Sequence, residues 1–281
     1  MNPAQLIIFD YSGTLSREAV LFARPKTLMK YIRESGLFDL GVDSLDYFWR
    51  EIVNPTWEEG STTGIGYVRL IERRLCELSL PERSSASRSG IAIAASRFVN
   101  SYLTHSSPDR RWQPLLAKLV SHRPTCVIVA TDHYAEATGY IVNFLENMEI
   151  PAEPARKLFT KPVCDVTVVA NSADLGFPKA DRRFWEGLKS GISLKDICRV
   201  LTVDDFGHNE GEGDAYGNIA KVEARKEQTI AVLTEVFPGE ITALPFLIQR
   251  GSSETSSFDY EKQMYNDLID TTIQQIENWL K

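Results

Sequence analysis

The residues that most constrain this chain are Leu6-Ile7-Ile8-Phe9, four apolar side chains in a row that run into Asp10 and the turn Tyr11-Ser12-Gly13-Thr14-Leu15. A short unbroken apolar run bounded by a turn reads as a strand buried on both faces, the setting of a parallel sheet covered by helices. In open α/β sheets, ligands bind outside the carboxyl ends of the strands. Asp10 stands at such an end, so its carboxylate is placed for chemistry rather than for packing.

After Leu15 the spacing of apolar residues becomes helical. Leu28, Met29, Tyr31 and Ile32 mark one helix, and Leu45, Phe48, Trp49, Ile52 and Val53 a second. Tyr67, Val68, Leu70, Ile71 and Leu75 mark a third, and Ile91, Ile93, Ala94, Phe98, Val99 and Tyr102 a fourth. Gly41, Asn54-Pro55, residues 60–66 and the Ser-rich segment 81–90, with its polar Ser/Arg stretch 83–89, separate them. Ser107-Pro108-Asp109 reads as a helix start. Strand and helix patterns then alternate. Strands are expected over 125–131, 165–170 and 200–203, the last ending in Asp204-Asp205, with a further strand over 229–233. Helices are expected over 135–148 and from Pro178-Lys179-Ala180-Asp181 onward. A Ser-rich linker at 251–258 precedes an amphipathic helix ending near Leu280. The expected fold class is therefore α/β, with a Rossmann-like parallel sheet core over 1–16 and 106–281 and an all-helical module inserted over 17–105. The 281 residues suit such a core plus an accessory module.

The formal net charge of −7 argues against nucleic acid as a dedicated partner. Four cysteines occur without a Cys-x-x-Cys pair, so free buried thiols in a reducing compartment are expected rather than zinc. No apolar run reaches the roughly 18 residues of a membrane span. A soluble, cytoplasmic protein with no membrane partner follows as the expectation.

Polar groups recur at the strand ends: Asp10, Thr131, Lys179 just inside a helix start, and Asp204-Asp205. Parallel strands point their carboxyl ends at one edge, so these groups can meet. The set suits phosphoryl transfer, which is catalysed by positioning and charge stabilisation. Asp10 is the candidate nucleophile, Thr131 a donor to a phosphoryl oxygen, and Lys179 a fixed positive charge. Mg2+ prefers hard oxygen ligands, and Asp10 and Asp205 would hold it, with Asp204 acting through water.

These segments resemble the motifs of the haloacid-dehalogenase-like (HAD) superfamily. Asp10-Tyr11-Ser12-Gly13-Thr14-Leu15 is similar to the first motif, Val127–Thr131 to the second, Gly176–Asp181 with Phe184 to the third (Ala180 replacing a proline), and Val203–Asn209 to the fourth. The resemblance implies a hydrolase with an aspartate nucleophile, a Mg2+ cofactor, a helical cap after the first motif and a small phosphorylated metabolite as substrate. It also implies that position 12 belongs to the site. Family phosphatases carry a second Asp there, which protonates the leaving oxygen, activates water and gives Mg2+ its backbone carbonyl. Ser12 keeps the carbonyl but has no carboxyl, and loss of such acid–base help typically costs about 10²–10⁴-fold.

Several readings follow. His133 or His208 could replace the missing proton shuttle, against the plainer reading of both as surface histidines. Phosphonate cleavage would need a cap lysine, Lys26 or Lys30. Haloacid cleavage, phosphotransfer, or phosphate binding with little turnover also remain open. Residues 57–67 are the candidate specificity loop, and Arg24 and Arg50 are candidate anion contacts. Phe22, Tyr31, Phe48 and Trp49 read as core, and Lys161 competes with Lys179.

Overall fold

The computed structural model describes residues 4–78, 88–122, 125–158, 165–191, 197–211, 213–248 and 258–281. Its centre is a single sheet of six strands: β1 (Ala4–Phe9), β2 (Thr125–Thr131), β3 (Ala152–Pro154), β4 (Thr167–Asn171), β5 (Ile197–Asp204) and β6 (Glu240–Pro245). The strand order is β3-β4-β2-β1-β5-β6, and every neighbouring pair is parallel. The expected α/β class and Rossmann-like parallel core hold. β1 is central, with Ile7 opposite Val127 on one side and Leu201 on the other.

Alternation along β1 feeds two apolar layers. Leu6 and Ile8 join Ile128, Val168, Phe184, Trp185 and Leu233 on one face. Ile7 and Phe9 join Val127, Val129 and Trp112 on the other, in a layer that continues into Phe22, Leu28, Phe48, Leu70 and Phe98 of the inserted segment. That segment is helical, as its spacing predicts: Arg17–Phe22, Pro25–Ser35, Leu45–Tyr47 running on as a π-helical turn over Phe48–Val53, Trp57–Thr62, Tyr67–Glu77 and Arg88–His105. Its two ends are tied together. The Tyr11 hydroxyl donates to the Ser106 carbonyl, and the Asp109 N–H donates to Leu15 O at 2.9 Å.

The structure corrects several expectations. Residues 229–233 are part of the helix Ile219–Val236 rather than a strand. Thr229, Val232, Leu233 and Val236 are its buried stripe, spaced three and one apart, so four apolar residues in sequence concealed a helical period. The last strand is β6, an edge strand whose residues are mostly half-buried and so carry little apolar signal. The helix after residue 106 starts later than Ser107-Pro108-Asp109. Asp109 caps a single 3₁₀ turn, Arg110–Trp112, and Pro114 sits in the first turn of the helix Gln113–Ser121. Residues 57–62 are a helix, so the expected specificity loop shrinks to the turn before Tyr67. Arg88 and Ser89 belong to a helix, and Cys76 is an exposed thiol rather than a buried one. Residues 83–87, 251–257, Lys161 and Cys164 lie outside the described residues. Among the described residues no helix is long and apolar enough to cross a membrane.

The helical assignment of 219–236 has a direct test. Leu233 is fully buried, so Leu233→Ala should cost about 2–5 kcal/mol in urea unfolding. Ala231 is exposed, so Ala231→Glu should stay within about 0.5 kcal/mol, whereas a buried strand at this position would reject it.

Candidate active site

The turn after β1 is shaped to approach the end of β5. Gly13 has φ +78°, and a Cβ there would lie 2.6 Å from Asp205 Oδ2. Glycine is thus required both for the backbone conformation and for the contact. Asn209 locks the arrangement. Its side-chain amide donates to Gly13 O at 2.9 Å and to Phe246 O at 2.8 Å, its Oδ1 accepts from Ile248 N, and its own N–H donates to Asp205 Oδ2 at 2.8 Å.

Asp10, Thr131, Lys179, Asp204 and Asp205 are all brought to this edge of the sheet, and all five are buried. Lys179 precedes the helix Arg182–Gly191 instead of lying inside it. Its N–H donates to Asp132 Oδ1 at 2.9 Å, and its carbonyl accepts from the Trp185 indole at 2.7 Å. So held, the Lys179 ammonium bridges Asp10 Oδ1 and Asp204 Oδ2, the second at 2.9 Å. Burial works against that charge, but Asp10 and Asp204 hold the ammonium well above the usual lysine range. Burial also raises the Asp10 carboxyl, against the pull of Lys179 and with the push of Asp204 and Asp205. Asp205 is pushed up to about 8 by burial, Glu210 and Asp204, although the N–H groups of Asn209 and Gly207 oppose the shift.

Three carboxyl groups share this buried site with one ammonium, and a cation would favour the ionised forms of Asp10 and Asp205 that burial disfavours. Oxygens of Asp10, Asp204 and Asp205 lie within 4.8 Å of one another. Asp10 Oδ2 is buried with no hydrogen-bond partner, which is the condition of a ligand atom awaiting a cation. A hard divalent cation fits this donor set. Asp204 is the weakest candidate ligand, since its two oxygens already accept from Lys179 and from Phe206 N at 2.6 Å.

The cavity over Asp10 is lined by Ser12, Trp57, Tyr102, Thr131, Asp132, His133, Asp205, Glu210, Asp214 and Tyr216, among others. Ser12 Oγ donates to Glu210 Oε1 at 2.9 Å. A carboxyl group therefore sits on the side chain at position 12, supplied from the loop after β5. Burial and Asp214 push it up to about 8, while the Ser12 bond opposes the shift. Glu210 was missed from the sequence, although Asn209-Glu210-Gly211-Glu212-Gly213-Asp214 is an acidic, glycine-rich run directly after the fourth motif. Asp132 and Tyr216 were missed as well, and the Tyr216 hydroxyl donates to Asp132 Oδ2 at 3.0 Å.

Other candidates stand elsewhere. His208 is exposed. Arg24 pairs with Glu261 at 3.0 Å, and Arg50 with Asp46 at 2.6 Å and Glu51 at 2.9 Å. Lys26 and Lys30 are exposed on the helix Pro25–Ser35, and neither lines the cavity. His133 is buried, not a surface residue. Its Nδ1 accepts from Tyr134 N at 2.9 Å, so the ring proton sits on Nε2, 2.8 Å from the Tyr102 hydroxyl. Burial lowers this imidazole to about 4, so near neutral pH it is an uncharged donor.

No family model matches the chain, and no curated protein matches it. Among solved structures, the chain is similar to a 2-haloacid dehalogenase from Pseudomonas syringae pv. Tomato, at 15% identity and a TM-score of 0.48, over 95% of this chain and 99% of that one. That likeness carries no residue roles across, and the site stands on its own geometry.

The His133 environment predicts an acid sensitivity. Its folded pKa lies below the unfolded value, so the unfolded chain binds the extra proton, and stability falls as pH drops from about 6.5 toward about 4. Over that range the wild type should lose about 3 kcal/mol more than His133→Gln, read by urea unfolding at stepped pH.

Proposed function

We propose that the chain is a HAD-like, Mg2+-dependent phosphohydrolase that cleaves a small phosphorylated metabolite through an aspartyl-phosphate on Asp10. The observation that carries this reading is the buried Asp10–Lys179–Asp204 cluster at the sheet edge, with one Asp10 oxygen left without a partner beside Asp205. Asp10 and Asp205, with the Ser12 carbonyl, would hold Mg2+, which when bound would neutralise the carboxylates and the phosphoryl oxygens.

The side chains divide the remaining work. Lys179 favours the anionic form of Asp10 against burial and orients its carboxylate. The Asp10 carboxylate attacks phosphorus, and the bond from phosphorus to the leaving oxygen breaks. Thr131 donates its hydroxyl to a phosphoryl oxygen. Glu210, held against Ser12, delivers the proton that the leaving oxygen needs, and then takes a proton from the water that cleaves the aspartyl-phosphate. Phosphate leaves and Asp10 is restored. In this reading the carboxyl expected at position 12 is supplied by Glu210 from the fourth motif's loop, and the two histidines are not the shuttle. The helices over 17–105 act as the cap, with Trp57 and Tyr102 closing the cavity against water. The cavity lining holds five carboxylates and no lysine or arginine, which suits a metal-held phosphate ester better than a free haloacid carboxylate. A cytoplasmic setting belongs to the same reading.

Mg2+-dependent phosphate release from an aryl phosphate tests the reaction. Chelation and Asp10→Asn should each abolish it, with Mg2+ restoring the chelated protein. Release that survives Asp10→Asn, or metal-free dehalogenation, would sink the proposal. Saturable phosphate binding without turnover would make the chain a binding protein instead. The acid–base assignment is tested separately. Glu210→Gln should lower kcat by about 10²-fold, and Ser12→Asp should recover part of that loss only when Glu210→Gln is also present.

A further inference from the structure

Beside the cavity over Asp10 lies a second one of about 60 Å³, partly open to solvent. The two share Trp57, Tyr102, Glu210 and Asp214, so a molecule with its phosphate at Asp10 would extend into the second cavity. Eight aromatic side chains line it, along with two carboxylates and no lysine, arginine or histidine. Phe22, Phe48 and Trp49, expected to be core, are therefore also walls of this cavity.

The walls are rigidly set. Tyr67 and Tyr134 stack with ring centroids 3.8 Å apart and planes 2° from parallel. Trp57 stands edge-on to Tyr134 at 5.3 Å. A Cβ on Gly213, which has φ +98°, would lie 2.7 Å from the Trp49 ring, so this glycine lets the acidic loop close over the indole. The Glu136 carboxylate accepts from the N–H groups of Tyr67 and Val68, which fixes the start of that helix against the core. Asn54 joins the inserted segment to the loop through Gly213 O and Ala215 N.

Aromatic faces attract cations through the ring quadrupole, and nearby carboxylates add a counter-charge. A primary ammonium is strongly hydrated through its three N–H groups and gives up that hydration on entering a wall made mostly of rings. An alkylated ammonium gives up less. We infer that the leaving group of the substrate carries an alkylated ammonium on a short spacer, seated among Trp49, Trp57, Tyr67, Tyr102 and Tyr134 with Asp214 as counter-charge. The inference rests on the phosphohydrolase reading for the position of the phosphate. It names the substrate class of the same site: phosphate monoesters of small quaternary amino alcohols.

Choline and its uncharged isostere 3,3-dimethylbutan-1-ol separate charge recognition from simple apolar fit. Titrated into the full chain and followed by tryptophan fluorescence, choline should bind at least about tenfold more tightly than the alcohol. Trp57→Leu and Asp214→Asn should each remove most of that preference while leaving the circular dichroism spectrum unchanged. Equal affinity for the two probes, or binding of neither, overturns the inference. In a second arm, kcat/KM is measured with Mg2+ for phosphorylcholine and for 3,3-dimethylbutyl phosphate. Preference for the cationic ester supports the inference, and equal rates overturn it. Selective choline binding with no hydrolysis of either ester supports the cation site and overturns the phosphohydrolase reading alone.

Discussion

The buried ion cluster of Lys179 between Asp10 and Asp204 is the constraint on which the rest of this molecule depends. An ammonium and two carboxylates inside a protein are each costly to desolvate, and they persist only where geometry and further hydrogen bonds compensate. Here the backbone around Lys179 is held by Asp132 and Trp185, and Asp204 is further held by Phe206 N. Asp205 adds a third buried carboxyl within 4.8 Å of the other two, a donor set that a hard cation fits. Replacing the cluster by apolar residues would suit a stable sheet equally well, so the fold alone does not call for it.

Around this cluster the fold works as a set of clamps between segments distant in sequence. Asn209 ties the turn after β1 to the loop after β5 and to the segment following β6. Tyr11 and Asp109 close the base of the inserted helices onto the same turn. Glu136 and Asn54 hold the far side of the insert to the sheet's loops. One apolar layer runs from Ile7 and Phe9 through Trp112 into the insert, so the helices that wall the cavity pack with the sheet that carries Asp10.

Much of this was legible in order along the chain. The runs at 6–9, 125–131 and 200–203 identify buried strands because continuous apolar residues between turns have few other uses. Asp10, Thr131, Lys179, Asp204 and Asp205 were recognisable because they stand at the ends of those strands or at a helix start. The failures have equally local causes. Ile230-Ala231-Val232-Leu233 looks like a strand because a two-turn helical stripe and its neighbours all happen to be apolar. β6 was invisible because an edge strand need not be apolar on both faces. His133 gave no sign of burial, since nothing adjacent to it in sequence reports the Tyr102 hydroxyl that receives its proton.

By itself the sequence determined the parallel α/β core, the inserted helices, and the strand-end carboxylate Asp10 with its lysine partner. Those properties rest on periodicity, turn chemistry and strand ends, which are local or follow from one sheet's geometry. Only the tertiary structure decided which carboxyl stands beside Ser12. The Glu210 carboxyl reaches it across 198 residues, and a contact of that kind leaves no pattern in either segment. The aromatic cavity was decided in the same way. Its rings come from separate helices and loops, each of which reads as ordinary core, and they become the wall of a cavity only when packing leaves a space among them.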